Sequence, residues 1–273
     1  MKNIQLSKEF NEFKDVIQST LKSTITIGVK EQSTKLWESK IGGNPYLEIG
    51  WEYPKNSKGE YLRLLSQINF EEVPHMEPYP SKGIIQFFIS PDDFYGANFD
   101  NMEYPGLLKQ DNFRIVYIAD VIENEAKLVK DFSFLEELKE DEYLPLTGEI
   151  KMNFSLEKMF ITANDYKFEE VYKNCDFDNI EDGEYESLLE RYCEELDEAY
   201  SRIGGYPNFT QWDPRANYKE YEDFDTLLLQ LDIESDGNSE LMFGDSGIAN
   251  FFIKEEDLKN LDFSKVMYTW DCC

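Results

Sequence analysis

The sequence predicts an α+β fold: an internally duplicated unit with pseudo-twofold related, mostly antiparallel β-sheets and flanking helices. Three observations predict it. IGGNP at Ile41 to Pro45 returns as IGGYP at Ile203 to Pro207, and an apolar run holding one glutamine follows each, LLSQINF at Leu64 and LLLQLDI at Leu227. GIIQFFISPDDF from Gly83 then aligns without a gap to GIANFFIKEEDL from Gly247. Repeats of this kind outrank single-element readings, because each copy tests the other.

In chain order, Ser7 is placed to cap a helix whose apolar face is Phe10, Phe13, Val16, Ile17 and Leu21. TITIGV, Thr24 to Val29, reads as a strand. IGG is expected to stop whatever precedes it, because glycine takes the positive φ of a helix end. Lys40 precedes the first anchor and Arg202 the second, and a tryptophan then a proline follow each: Trp51 and Pro54, Trp212 and Pro214. Gln67 stands 22 residues past Pro45 and Gln230 stands 23 past Pro207. The aromatic and β-branched blocks at Gly83 and Gly247 read as buried strands. Closing strands follow in NFRIVYIADV and DFSKVMYTWDCC, the first after a longer irregular loop, PDDFYGANFDNMEYPG.

Between the copies, strands are expected near Ala126 to Lys130 and Glu149 to Phe154, with short helices near Ser133 to Lys139 and Asp165 to Asn174. From Gly183 to Arg202, apolar residues at three- and four-residue steps predict a helix with an acidic outer face. The organisation is then an N-terminal repeat (1–122), an acidic insert without a counterpart (123–182) and a C-terminal repeat (183–273), within one compact globular domain.

The 273 residues carry 27 basic and 56 acidic side chains, a net charge of −29, so nucleic acid is excluded as a partner by repulsion. The imbalance is concentrated late: residues 121–200 hold 8 basic and 24 acidic side chains. No apolar run nears the ~18 residues of a membrane span, and the start lacks a secretory pattern, so a cytoplasmic protein is expected. Cys175, Cys193, Cys272 and Cys273 fit reduced thiols, and with His75 the only histidine no metal or cofactor is expected.

These paired motifs, IGGNPYLEIGWEYP with LLSQINF and GIIQFFIS, then RIGGYPNFTQWDPR with LLLQLDI and FGDSGIANFFI, resemble the bacterial YwqG-like family from about Lys40 to the C-terminus. The resemblance implies a cytosolic bacterial protein with no assigned reaction and no catalytic residues to carry over.

Several chemistries are set aside on the residues themselves. GDSG at Gly244 is the serine-protease nucleophile motif up to Ile248, where another glycine belongs, and Gly247 is explained by its match to Gly83. DIESDGNSELMF places Asp232, Glu234 and Asp236 like a calcium loop but ends on Phe243 instead of a glutamate, so SDGN is read as a hairpin turn. IGGNP and IGGYP lack phosphate-loop spacing. What remains is Gln67 and Gln230, polar residues inside apolar strands. Either each amide ties down a neighbouring loop, or both line a ligand pocket at the junction of the copies with Trp51, Trp212, Gln211, Asp213, Arg215 and Asp245. The function expected is a non-catalytic protein- or ligand-binding domain, immunity- or inhibitor-like, meeting a basic partner through its acidic surface. A small-molecule binder or a carboxylate-dependent enzyme is the alternative.

Overall fold

A computed structural model describes residues 6–135, 138, 142–175, 177 and 187–273. The strands are β1 (Lys22–Lys30), β2 (Lys40–Gly42), β3 (Arg63–Asn69), β4 (Ile84–Ile89), β5 (Phe113–Ile118), β6 (Leu146–Thr147) and β7 (Glu149–Met159), followed by β8 (Arg202–Gly204), β9 (Thr226–Leu231), β10 (Glu234–Ser235), β11 (Glu240–Leu241), β12 (Ile248–Ile253) and β13 (Met267–Asp271). The helices are short: α1 (Lys14–Ser19), α2 (Phe168–Val171), α3 (Leu188–Leu196), α4 (Pro214–Asn217) and α5 (Glu255–Lys259). No helix among the described residues is long and apolar enough to cross a membrane.

Ten strands form one antiparallel sheet in the order β13-β12-β9-β8-β1-β7-β2-β3-β4-β5, and β10-β11-β6 form a small second sheet. At its centre, β1 and β7 pair along nine residues, Lys22 with Met159 through Lys30 with Lys151. On either side the motif strands follow outward in corresponding order. The register also slips by one residue on both sides, at Leu65 between β3 and β4 and at Leu228 between β9 and β12. Each slip lies two residues before its glutamine.

The sheet curls until its ends face one another. Phe87 of β4 packs on Phe251 of β12 with ring centroids 4.8 Å apart, and Phe113 of β5 meets Tyr268 of β13 at 5.2 Å. The main core fills the inside of this curl with Ile25, Ile27, Ile85, Leu229 and their neighbours. Separate clusters cover the outside. One holds Phe10, Ile17, Leu188 and Tyr192 from the N-terminal segment and α3, and another holds Phe209, Tyr221, Phe252 and Met267. Burial on both faces is why β4 and β12 read as unbroken apolar runs rather than alternating ones.

Several expectations change. IGG closes short strands, not helices: α3 ends at Leu196, and residues Arg202–Gly204 are extended before Gly204 and Gly205 turn the chain at φ +70° and +73°. The strand expected at Ala126 to Lys130 is a 3-10 turn at Glu125–Lys127 plus one bridge, Glu48 with Leu128. Of the helix expected near Ser133 to Lys139, residues 133–135 form a turn and 136, 137 and 139 lie outside the described residues, as does the start of the helix expected from Gly183. The stretch read as an insert supplies β7, which occupies the centre of the sheet beside β1.

Candidate functional site

Gln67 and Gln230 are both fully buried. A buried amide needs its donors and acceptors met, and here the segments before and after the glycine-turn strand meet them. Gln67 Oε1 accepts the backbone N–H of Tyr46 at 2.7 Å, and its Nε2 donates to the carbonyls of Leu36 and Glu38 at 2.8 and 2.9 Å. Gln230 Oε1 accepts the N–H of Asn208 at 2.7 Å, and its Nε2 donates to Tyr200 O at 2.8 Å. The neighbouring strand adds a second amide in each case. Gln86 Nε2 donates to Tyr46 O at 2.8 Å, and Asn250 Nδ2 donates to Asn208 O at 2.8 Å.

A buried cation begins each row. Lys40 Nζ donates to Asn44 O at 3.1 Å and lies 3.3 Å from Glu149 Oε2, and Arg202 Nη1 donates to Tyr206 O at 3.1 Å. Burial pushes the Lys40 ammonium below its ordinary pKa, against the opposing pull of Glu149. The rows Lys40, Gln67, Gln86 and Arg202, Gln230, Asn250 are therefore brackets for the loops after the glycine turns. Gln86 and Asn250 are aligned in the sequence. Their role emerges only from the cross-strand register.

Asp213 and Arg215 are also sealed inside. Arg215 Nη2 meets Asp213 Oδ2 at 2.6 Å and Asp165 Oδ2 at 3.4 Å, with all three side chains at most 5% exposed. Its guanidinium lies over Phe252 at 4.2 Å and Tyr166 at 4.6 Å. Asp213 also caps α4, accepting the N–H of Arg215 at 2.9 Å. Burial raises the Asp165 carboxyl, while Arg215 pulls it down. This cluster locks the segment after β7 to the second glycine loop, and it is closed to any substrate.

Gln211 and Trp212 reach the surface. Together with Pro214, Thr269, Trp270, Asp271 and Cys272, and with Phe99 and Met102 from the long loop of the first half, they line a cavity of about 240 Å³. That loop is fastened to β13: Trp270 Nε1 donates to Phe94 O at 2.8 Å and Tyr268 Oη to Tyr95 O at 2.9 Å. Asp271 Oδ2 accepts the N–H of Gln211 at 2.6 Å, and burial pushes this carboxyl up against the amides that hold it down. Trp51 is elsewhere, lining a hollow of about 370 Å³ with Tyr53, Tyr61 and Phe134. Asp245 is exposed in the turn before β12, where its carbonyl accepts Cys273 N at 3.3 Å. The eight expected residues are thus distributed: Gln211 and Trp212 share a cavity, and the other six do not line it.

Among the described residues, no three His, Cys, Asp or Glu side chains are grouped to hold a metal ion. In the calcium-like stretch, Asp236 Oδ1 instead accepts the N–H groups of Asn238 and Ser239 at 2.9 and 2.8 Å, closing the β10–β11 hairpin.

A family model for a domain of unknown function, DUF1963, matches residues 39–272. The chain belongs to the DUF1963 family. Both glycine turns, both polar rows and every residue of the Trp212 cavity fall inside the DUF1963 match, whereas β1 lies before it. Comparison with curated proteins returns no match.

Proposed function

We propose that this DUF1963 chain is a non-catalytic binding protein whose ligand enters the cavity between the long loop of the first half and β13, beside Trp212. One coincidence carries the reading. The loop of residues 91–106, longer than its counterpart in the second half, meets TQWDPR at a single apolar, tryptophan-walled cavity. Ligand sites are concave and mostly apolar, with a few polar groups for orientation. Gln211 and Asp271 supply such groups here. The charged constellation most like catalytic machinery, Asp165, Asp213 and Arg215, is buried and internally paired, which favours binding over catalysis.

The occupant is a small apolar or aromatic group, neutral or borne by a basic partner, because a net charge of −29 disfavours anions. Basic partners are steered in by the same field, as an immunity- or inhibitor-like role requires. Part of the acidic stretch 121–200, notably 178–186, lies outside the described residues. The proposal also takes the chain as a YwqG-like bacterial cytosolic protein that arose by duplication of one unit. The matching polar rows, register slips and strand order support that descent.

Indole titration followed by NMR tests the site. Saturable shifts of the Trp212 and Trp270 ring N–H signals are expected, and they should vanish in Met102→Trp, which fills the cavity. Indole binding that Met102→Trp leaves unchanged would refute it.

A further inference from the structure

The hollow at Trp51 has a chemistry of its own. Four aromatic side chains, Trp51, Tyr53, Tyr61 and Phe134, line a space of about 370 Å³ that also receives Glu52 and Lys55. Three of the rings stand steeply inclined to one another like walls. Tyr53 meets Tyr61 at 5.8 Å and 78°, and Phe134 meets Tyr53 at 5.3 Å and 75° and Tyr61 at 5.1 Å and 55°. Trp51 is 46% exposed at this site, whereas Tyr53 is 8% exposed. The Tyr53 hydroxyl is closed off from solvent and has no hydrogen-bond partner among the described residues.

Ring faces carry negative potential and attract cations, most strongly where water is partly excluded. A cation is already present. Lys55 Nζ lies 4.4 Å over the Tyr61 ring, its partner in the bridge Lys55 to Tyr61. Among the described residues it reaches only that one ring at such a distance, and Lys55 is exposed on a short hairpin, free to swing out. Four aromatic walls with a carboxylate among them are more than one cross-strand lysine uses.

We propose that the Trp51 hollow is a cage for an alkylammonium cation, in which Lys55 acts as a displaceable occupant. The site is separate from the Trp212 cavity, so either can fail alone. Anions are refused by the ring faces, by Glu52 and by the net charge of −29.

Tetramethylammonium chloride, titrated at constant ionic strength, should shift the Trp51 ring N–H resonance saturably, with Trp51→Phe assigning the signal. Neutral neopentyl alcohol, of similar shape, should bind about tenfold more weakly. Tyr61→Leu should weaken the cation by about tenfold, while its melting temperature reports whether the fold survives. Lys55→Met should strengthen binding, since it removes both the competitor and a like charge. Equal affinity for the neutral compound, or weaker cation binding in Lys55→Met, overturns the proposal. Choline and a trimethyllysine peptide then distinguish the source. Binding of either supports the cage, as a free metabolite or a partner side chain respectively, and binding of neither overturns it.

Discussion

Gln67 and Gln230 hold equivalent loops in opposite halves of the sheet: the oxygen of each accepts one backbone N–H, from Tyr46 and from Asn208, at 2.7 Å in both cases. Truncating either leaves loop amides and carbonyls buried without partners. Gln67→Leu and Gln230→Leu should each cost about 2 to 4 kcal/mol in denaturant unfolding. A loss below about 0.5 kcal/mol would show that the loops do not depend on these brackets.

Among the described residues, Arg215 is the one cation paired with two buried carboxyl groups, Asp165 and Asp213. Arg215→Met leaves Asp165 and Asp213 buried beside each other, at an expected cost of about 3 to 5 kcal/mol. Removing one of the two stranded carboxylates with Asp165→Asn in the same background should recover part of that loss. Equilibrium unfolding of the single and double variants measures it.

Gly83 and Gly247 open β4 and β12 against the last carbonyl of the neighbouring strand. A Cβ at Gly83 would stand 2.7 Å from Ile118 O, and one at Gly247 2.3 Å from Asp271 O. Neither neighbour is a flexible side chain that could yield. Alanine at either position should lower stability by about 2 to 4 kcal/mol, and for Gly83, at φ +87°, substitution at Gly59, at φ +84° with nothing within 4 Å of a Cβ, is the control for φ strain alone.

Stability should rise on mild acidification. Burial holds Asp165, Asp197 and Asp271 above the ordinary carboxylate range. Just above the ordinary value of about 3.9, the folded chain therefore keeps protons that the unfolded chain has released. Stability falls as the pH rises through the window from there to the raised values, and returns as the pH is lowered again. Melting temperatures across that window test the sign, and Asp165→Asn should flatten the dependence.

Much of the sheet was legible because its strands are apolar on both faces and bounded by glycine or turn residues. Gln67 and Gln230 stood out as lone amides in apolar runs. Other features were hidden for definite reasons. A glycine at positive φ reports its own conformation and says nothing about whether a helix or a strand precedes it, so the sequence places the second IGG turn directly after a helix. The Arg215 cluster depends on Asp165, some fifty residues away, and WDPR alone looks like surface. β7 alternates Lys and Glu with apolar residues, so the acidic stretch read as an insert although its strand lies at the centre of the sheet. The Trp212 cavity needs the long loop of the first half to fold onto the last strand of the second, a contact no spacing encodes.

The central pair has a consequence for how the molecule is made. β1 belongs to the early part of the chain, yet its flank opposite β7 is completed by β8, through Thr24 with Gly204, Ile25 with Ile203 and Thr26 with Arg202. Until Arg202 has left the ribosome, that flank of β1 has no template, and the early strands cannot close into their final curl. Maturation is therefore deferred to the last third of synthesis, and a chain cut between its halves would give two fragments, each missing a neighbour that only the other supplies.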